Sequence, residues 1–460
     1  SASQSYTLTF PSNIVSGQFL TTDANGNLSW AAVDTGLSSD AQGNTIGGTN
    51  AGDSITSGTN NTVIGKDAGT AITTGANNTA LGHSALKANT TAGNSVAIGY
   101  RALLANTTGT QNIAIGVEAL DANTTGNYNT AVGKAALGAN TTANYNVAIG
   151  QEALVGNTTG TYNVAVGCFS LRDNTTTNLN TAVGYAALKE NEAAENTAVG
   201  TNSLQLNTTG TGHAAIGYGS LGSNTTGSQN TACGRFALQA NTTASDNTAV
   251  GYNSLLLNTT GASNVAIGSL ALDANTTGSN NVAIGVSAMS ASNSNNNTAC
   301  GMQALRDTTS GNDNVAVGLN ALRLNTSGSS NTALGFTALD ANTTASNNTA
   351  VGAAALNDNT TGTDNTAVGK EALRYSTQAA SNVAVGSLAS KNNTTGAQLV
   401  AVGKQALLSN TSGSDNVAIG CDALDANTTA NANTAVGRSA LSAVTTQGYN
   451  TAVGYRALKN

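Results

Sequence analysis

Proline and tryptophan each occur once in 460 residues, and histidine and methionine twice each. Aromatic residues make up 4% of the chain and charged residues 8%, against about a quarter for charge in ordinary globular domains. Each shortage excludes something. The net charge is −7 and no basic stripe exists, so nucleic-acid binding has no electrostatic basis. No apolar run approaches the ~20 residues of a membrane helix. The four cysteines, Cys168, Cys233, Cys300 and Cys421, form no C-x-x-C pair. Neither His83 nor His213 has a nearby cysteine or carboxylate pattern for metal or triad chemistry. No signal peptide is visible and the chain starts at Ser1 without methionine, which reads as a fragment or a processed product. Disorder is not the alternative, because Val, Ile and Thr recur at regular places.

What the chain has instead is a period. Asn-Thr-Ala-Val-Gly or Asn-Val-Ala-Ile-Gly recurs from Asn61 onward, with glycines from Gly65 to Gly454. The interval is 17 residues, shortened to 16 between Gly184 and Gly200 and between Gly285 and Gly301, giving 24 copies. A fixed period of this size marks a repeat architecture. With the glycine at position 5, position 1 is Asn in 21 of 24 copies, the exceptions being Ser95, His213 and Leu399. Position 3 is Ala in all but Val63, and position 4 is always Val, Ile, Leu or Cys. Position 8 is Ala or Ser, position 9 nearly always Leu, and positions 12 to 15 usually read Asn-Thr-Thr-Gly or Asn-Thr-Thr-Ala.

Positions 2 to 4 predict a short strand with 2 and 4 on one side and 3 on the other. The larger residues at 2 and 4 are expected inside, with Leu at 9 closing the same interior. The small residues at 3 and 8 are then expected on a flat face pressed against other copies of the chain. Cys233 and Cys300, at position 4, are expected as small core residues. They lie four turns apart, ~19 Å at ~4.8 Å per turn, too far for an intrachain disulfide. Gly at 5 turns the chain, and Asn-Thr-Thr-Gly forms a second turn through Asx-type bonds. Ala-Leu is compatible with helix, but no 3.6-residue stripe accompanies it. The fold class is therefore all-β: a parallel β-solenoid or β-roll of about 24 coils with a 17-residue period, a rod of about 115 Å at ~4.8 Å per coil.

Residues 1–40 differ and predict a small β cap or connector. Ser5 to Pro11 alternates like a strand, and Asn25-Gly26 between apolar runs signals a hairpin. Residues 41–60 form a transition with a degenerate first coil at Asn44 to Gly48, and residues 61–460 form the repeat. The last coil, ending at Asn460, shows no cap, which predicts continuation of the fibre or end-to-end stacking.

Two resemblances follow from these residues. Tyr6-Thr-Leu-Thr-Phe-Pro, then Gly17-Gln-Phe-Leu-Thr-Thr-Asp-Ala-Asn-Gly-Asn-Leu-Ser-Trp, resembles a segment common in phage tail-fibre proteins. Asn94-Ser-Val-Ala-Ile-Gly99, followed by Tyr100, Arg101 and Ala102, resembles the head repeat of the YadA-like trimeric autotransporter adhesins, a left-handed parallel β-roll. The second resemblance covers residues 61–460 and implies a homotrimer with strand residues buried in each roll and at the axis. The coil here is longer than that family's, and the extra residues carry Asn-Thr-Thr. The family's coiled-coil stalk and membrane-barrel anchor are not in this chain, which favours the phage fibre.

Chemistry-bearing patterns are few. Asp121, Asp273, Asp340 and Asp425 share position 10 in separated coils. No calcium-solenoid run, P-loop or dinucleotide motif occurs. Asn-x-Thr is a glycosylation acceptor, and a threonine array can order water as in ice-binding solenoids. Position 6 varies freely (among others Lys66, Tyr100, Tyr218, Arg235, Phe336), which predicts an exposed site where any side chain is tolerated; the alternative reading has its tyrosines contact a receptor glycan or cell surface. The reading is a non-enzymatic structural protein without catalytic, metal or cofactor residues: the trimeric rod of a phage tail fibre, on the virion. Its partners are two sister chains, adjoining fibre or virion proteins at both ends, and a host-surface glycan. The runner-up is a cell-surface adhesin or extracellular filament subunit, and a monomeric ice-binding solenoid comes third.

Overall fold

The computed structural model describes residues 18–22, 28–32 and 36–459. The expected strand at Ser5–Pro11 and the Asn25-Gly26 turn lie outside them. Strands β1 (Gln18–Thr22) and β2 (Leu28–Ala32) pair antiparallel, Gln18 opposite Ala32 and Thr22 opposite Leu28, as a hairpin across that turn requires. The chain divides into two compact units, residues 1–144 and 145–460.

In the first unit, β3 (Ser38–Ser39) runs antiparallel to β4 (Thr45–Gly47). From β4 through β5 (Thr62–Ile64) to β9 (Thr130–Val132), every strand pairs in parallel with the next, each three residues long. The second unit repeats this from β10 (Val147–Ile149) to β28 (Thr451–Val453). Alanine faces alanine at each step, for instance Ala316, Ala333 and Ala350. The fold is thus an all-β parallel solenoid of 17-residue turns, and no helix occurs among the described residues. The two 16-residue intervals lose one residue of the Asn-Thr-Thr turn and keep register. In the second of them the Asn293 side-chain oxygen accepts the N–H groups of Thr276 and Thr277 at 3.1 and 2.9 Å, replacing a missing backbone carbonyl.

The coil from Asn331 to Asn347 shows how one turn is built. Contrary to the sequence expectation, the alanine of the strand faces inward: Ala333 is buried, Thr332 is half-buried and Leu334 is exposed. Ala338 and Leu339 are buried beside it. The interior is too narrow for a β-branched residue at position 3 opposite Leu at position 9, so alanine is required there and the larger residues point out. The alanines at 3 and 8 accordingly do not form an outer face. The first coils support this by compensation. Where Ile46 and Val63 take position 3, position 9 becomes Gly52 and Gly69, and Ile55 and Ile72 take position 12. A Cβ on Gly69 would lie 2.8 Å from Ile72 and 3.1 Å from Val63, so the leucine's volume has been shared between them. The coil beginning at Asn44 is a complete turn with a different core.

Two asparagine ladders run through this narrow interior. Asn331 donates its backbone N–H to Asn314 Oδ1 at 3.0 Å and its Nδ2 to the carbonyl of Ala345 at 2.9 Å. Its own Oδ1 accepts the N–H of Asn348 from the following coil at 3.0 Å. Asn342, at position 12, donates Nδ2 to Asn325 Oδ1 and to the same Ala345 carbonyl at 2.8 and 3.0 Å. Both asparagines are buried, and together they satisfy backbone groups that the non-strand part of the turn cannot pair. The first ladder ends on Asp40, whose carboxylate accepts from the Asn44 N–H and Nδ2 at 2.8 and 2.7 Å. These bonds, the side-chain one foremost, hold its pKa below the ordinary carboxylate value.

The turn also carries backbone conformations that the sequence does not announce. In the same coil Thr337, Leu339 and Asn347 have φ of 49°, 52° and 63°, the left-handed region in which a bulky side chain costs about 1–2 kcal/mol. Leucine repeats this at nearly every position 9. Its burial offsets the cost, since a fully buried leucine contributes about 1.5–3 kcal/mol.

Candidate functional site

The sequence-marked residues sort into interior and surface. His213 is interior and takes the place of a ladder asparagine. Its Nδ1 accepts the Asn230 N–H at 3.2 Å, and its Nε2 lies 3.2 Å from Nδ2 of Asn224 in the second ladder. The ring is held neutral, because burial lowers its pKa. A histidine that must stay neutral when folded but charges when unfolded binds more protons in the unfolded state. Stability is therefore full above the unfolded pKa of ~6.5 and falls as pH drops below it. Thermal melts of the wild type are expected to lose stability from pH 7 to 5, and His213→Asn to flatten that slope; equal slopes in both proteins count against the assignment.

His83 lies at the surface, its ring stacked on Tyr100 at 5.5 Å and its Nδ1 3.1 Å from the Ser84 hydroxyl. The position-10 carboxylates do not converge. Asp340 pairs with Arg323 of the preceding coil through two bonds of 2.9 and 3.0 Å. Asp121 lies 3.9 Å from Arg101, and Asp273 and Asp425 form no ion pair among the described residues. Burial raises the pKa of Asp121, Asp273 and Asp425. Among the described residues no three His, Cys, Asp or Glu side chains gather as a metal site would require. The cysteines are all unpaired. Cys233 and Cys300 are exposed on the outer strand face, a correction that follows from the inward alanines. Cys421 donates to Asp422 at 3.3 Å, and that bond raises the thiol's pKa, the reverse of what an activated thiolate needs.

The Asn-Thr-Thr row is structural. Its asparagine is the buried ladder residue of position 12, with its amide engaged, so a glycan on that nitrogen is incompatible with the folded coil. The first threonine is tied down as well: the Thr343 hydroxyl donates to the Thr360 carbonyl at 3.0 Å. The second threonine, such as Thr344, is exposed, and in some turns the first is as well, as at Thr175 and Thr411.

Two surface features remain. The first is the strand face formed by positions 2 and 4. In the second unit it stacks Val, Ile, Leu, Cys and Thr from 19 consecutive strands, with Ile216 46% and Ile419 40% exposed. At ~4.8 Å per strand it runs for roughly 90 Å. The second is the row at positions 6, 7, 10 and 17, where the repeat varies. Every residue singled out at position 6 in the sequence is exposed, and rings meet there between coils. Tyr145 and Tyr162, both at position 17, stack at 5.1 Å with planes 5° apart. Tyr218 meets Phe236 edge-on at 5.2 Å. The pairing at position 17 was legible only as a 17-residue spacing of tyrosines, and its significance depends on the coil stack. No described helix is long and apolar enough to cross a membrane. No family model, curated protein or solved structure matches the chain.

Proposed function

We propose that the chain is a non-enzymatic rod segment of a phage tail fibre, in which three copies associate lengthwise and hold host-binding elements away from the virion. The outward face of positions 2 and 4 carries this reading. A typical monomer's largest apolar patch covers about 300–600 Å². Two mostly β-branched rows, broken only by Ala214, Cys233, Cys300 and Leu334, repeat here along roughly 90 Å. Charged side chains are missing from it: position 2 is Thr, Val, Ile or Ala and position 4 Val, Ile, Leu or Cys. A face identical at every coil is complementary to itself at every coil, so parallel sister chains in register bury it around one axis. This replaces the alanine face that the sequence suggested as the contact. The repeat's likeness to trimeric adhesin heads and the N-terminal likeness to tail fibres support the same assembly.

Cys233 and Cys300 lie on this face and test it. In a Cys168→Ser/Cys421→Ser background, copper-catalysed air oxidation is expected to give disulfide-linked dimers and trimers on non-reducing gels. Light scattering of the reduced protein is expected to give about three times the chain mass. A monodisperse monomer that forms no cross-link overturns the assembly. Immunogold labelling of the native particle then separates a virion fibre from a cell-surface filament.

A further inference from the structure

One coil breaks the variable row in a way its neighbours do not. Positions 7 and 10 are Asn202 and Gln205 in the coil before it and Phe236 and Gln239 in the coil after it. In the coil between, both are glycine, Gly219 and Gly222. Side chains at one position stack from coil to coil, so removing two of them leaves a gap one coil high. The result is a notch of about 170 Å³. Tyr218 and Phe236 form one wall, and Gln205 and Gln239 bracket the opening over Gly222. The Phe236 ring leans into the space over Gly219, where a Cβ would lie 2.9 Å from it. A Cβ on Gly222 would approach only backbone, 3.2 Å from the Gly219 carbonyl oxygen, so that end stays open. The amides of Gln205 and Gln239 make no hydrogen bond to other described residues.

The cation beside the notch is also unusual. The Arg235 guanidinium lies 4.7 Å from the Phe236 ring centre, and 6.0 and 5.9 Å from those of Tyr218 and Tyr252. It forms no ion pair among the described residues. Three rings hold it in place while its donors remain free.

We propose that this notch binds one pyranose ring of a saccharide, with Arg235 placed for an acidic substituent on the sugar. The inference rests on the reading of the rod as a host-facing fibre and gives it a site. A pyranose has an apolar C–H face and a rim of hydroxyls, which match ring faces on one side and free amides on the other. The volume is below the ~300 Å³ at which drug-sized sites begin, which suits a single ring of a chain whose remaining units stay in solvent.

The repeat itself supplies the control variant. Gly219→Asn/Gly222→Gln restores the side chains found one coil away, and Asn202 has φ of 55° against 63° at Gly219, so the backbone accepts the change, while the new Cβ at 219, 2.9 Å from the Phe236 ring, pushes that ring aside. Saturation-transfer NMR on the intact rod, with methyl glucoside, N-acetylglucosamine and methyl glucuronide as probes, is expected to show transfer to the C–H face of the ring. The double variant is expected to weaken binding by at least about tenfold. Arg235→Gln is expected to weaken the glucuronide alone. Unchanged binding in the double variant, or no transfer from wild-type protein that still scatters as a trimer, overturns the site while leaving the fibre assignment standing. A wild-type chain that binds the sugars as a monomer supports the site and removes the fibre.

Discussion

Replacing Gly335 with alanine is expected to unfold the solenoid around that coil. Gly335 has φ of 137°, a region essentially closed to residues with a Cβ and costing on the order of 1–3 kcal/mol when occupied. Steric contact adds to this. A Cβ there would lie 2.6 Å from the carbonyl oxygen and 2.7 Å from the carbonyl carbon of Gly352 in the following coil. Those atoms are backbone and cannot rotate away. Relief requires the two coils to separate, which breaks the ladder bonds on both sides, such as Gly335 N–H to the Val317 carbonyl at 2.8 Å. We expect a loss of about 4 kcal/mol or more, the range reserved for backbone clashes and strained φ. Phe336→Ala, one residue away and 57% exposed, should stay within about 0.5 kcal/mol. Long repeat arrays depart from two-state unfolding. The measurement is therefore amide exchange, with protection expected to fall in the coils flanking residue 335 and to persist in distant ones. Protection unchanged at those coils counts against the close glycine stack.

That glycine row was the most legible part of the chain. Its period gave the number of turns, the parallel pairing and the turn position, because a residue that must be glycine in every copy reports a backbone constraint directly. The direction of the strand was not legible by the same route. Period-two alternation separates positions 2 and 4 from position 3 but does not say which side is inside. Size suggested the larger residues, yet invariance was the better guide. Ala at position 3 hardly changes, whereas position 2 exchanges Thr, Val, Ile and Ala, as an outward face permits. The left-handed leucines carried no signal, since leucine does not favour that region and is held there by burial alone. The notch was visible as two glycines in one coil, but its aromatic wall comes from residues 17 apart that become neighbours only when coils stack.

The second large effect concerns a side chain rather than the backbone. Asn331→Ala removes three hydrogen bonds at once from the buried ladder: Nδ2 to Asn314 Oδ1 at 3.1 Å is lost, the Asn348 N–H is left without its acceptor, and the Ala345 carbonyl keeps one donor instead of two. The Asn331 N–H itself is retained on Asn314. Stranding a buried polar group costs about 1–3 kcal/mol, and the missing amide leaves a void in a close-packed interior. A loss of about 3 kcal/mol is expected. The chain contains a natural comparison at Leu399, which occupies position 1, is buried, and accepts the Val383 N–H with its backbone carbonyl at 2.8 Å. Leucine fills the space but offers no acceptor to the coil beyond. Asn331→Leu should accordingly fall between wild type and Asn331→Ala, and the difference between the two variants separates volume from hydrogen bonding. Leu399→Asn should stabilise its coil by about 1 kcal/mol, the net value of a typical added hydrogen bond. If all three variants melt with the wild type, the interior asparagines are filling space alone, and the polar ladder is not what holds the turns in register.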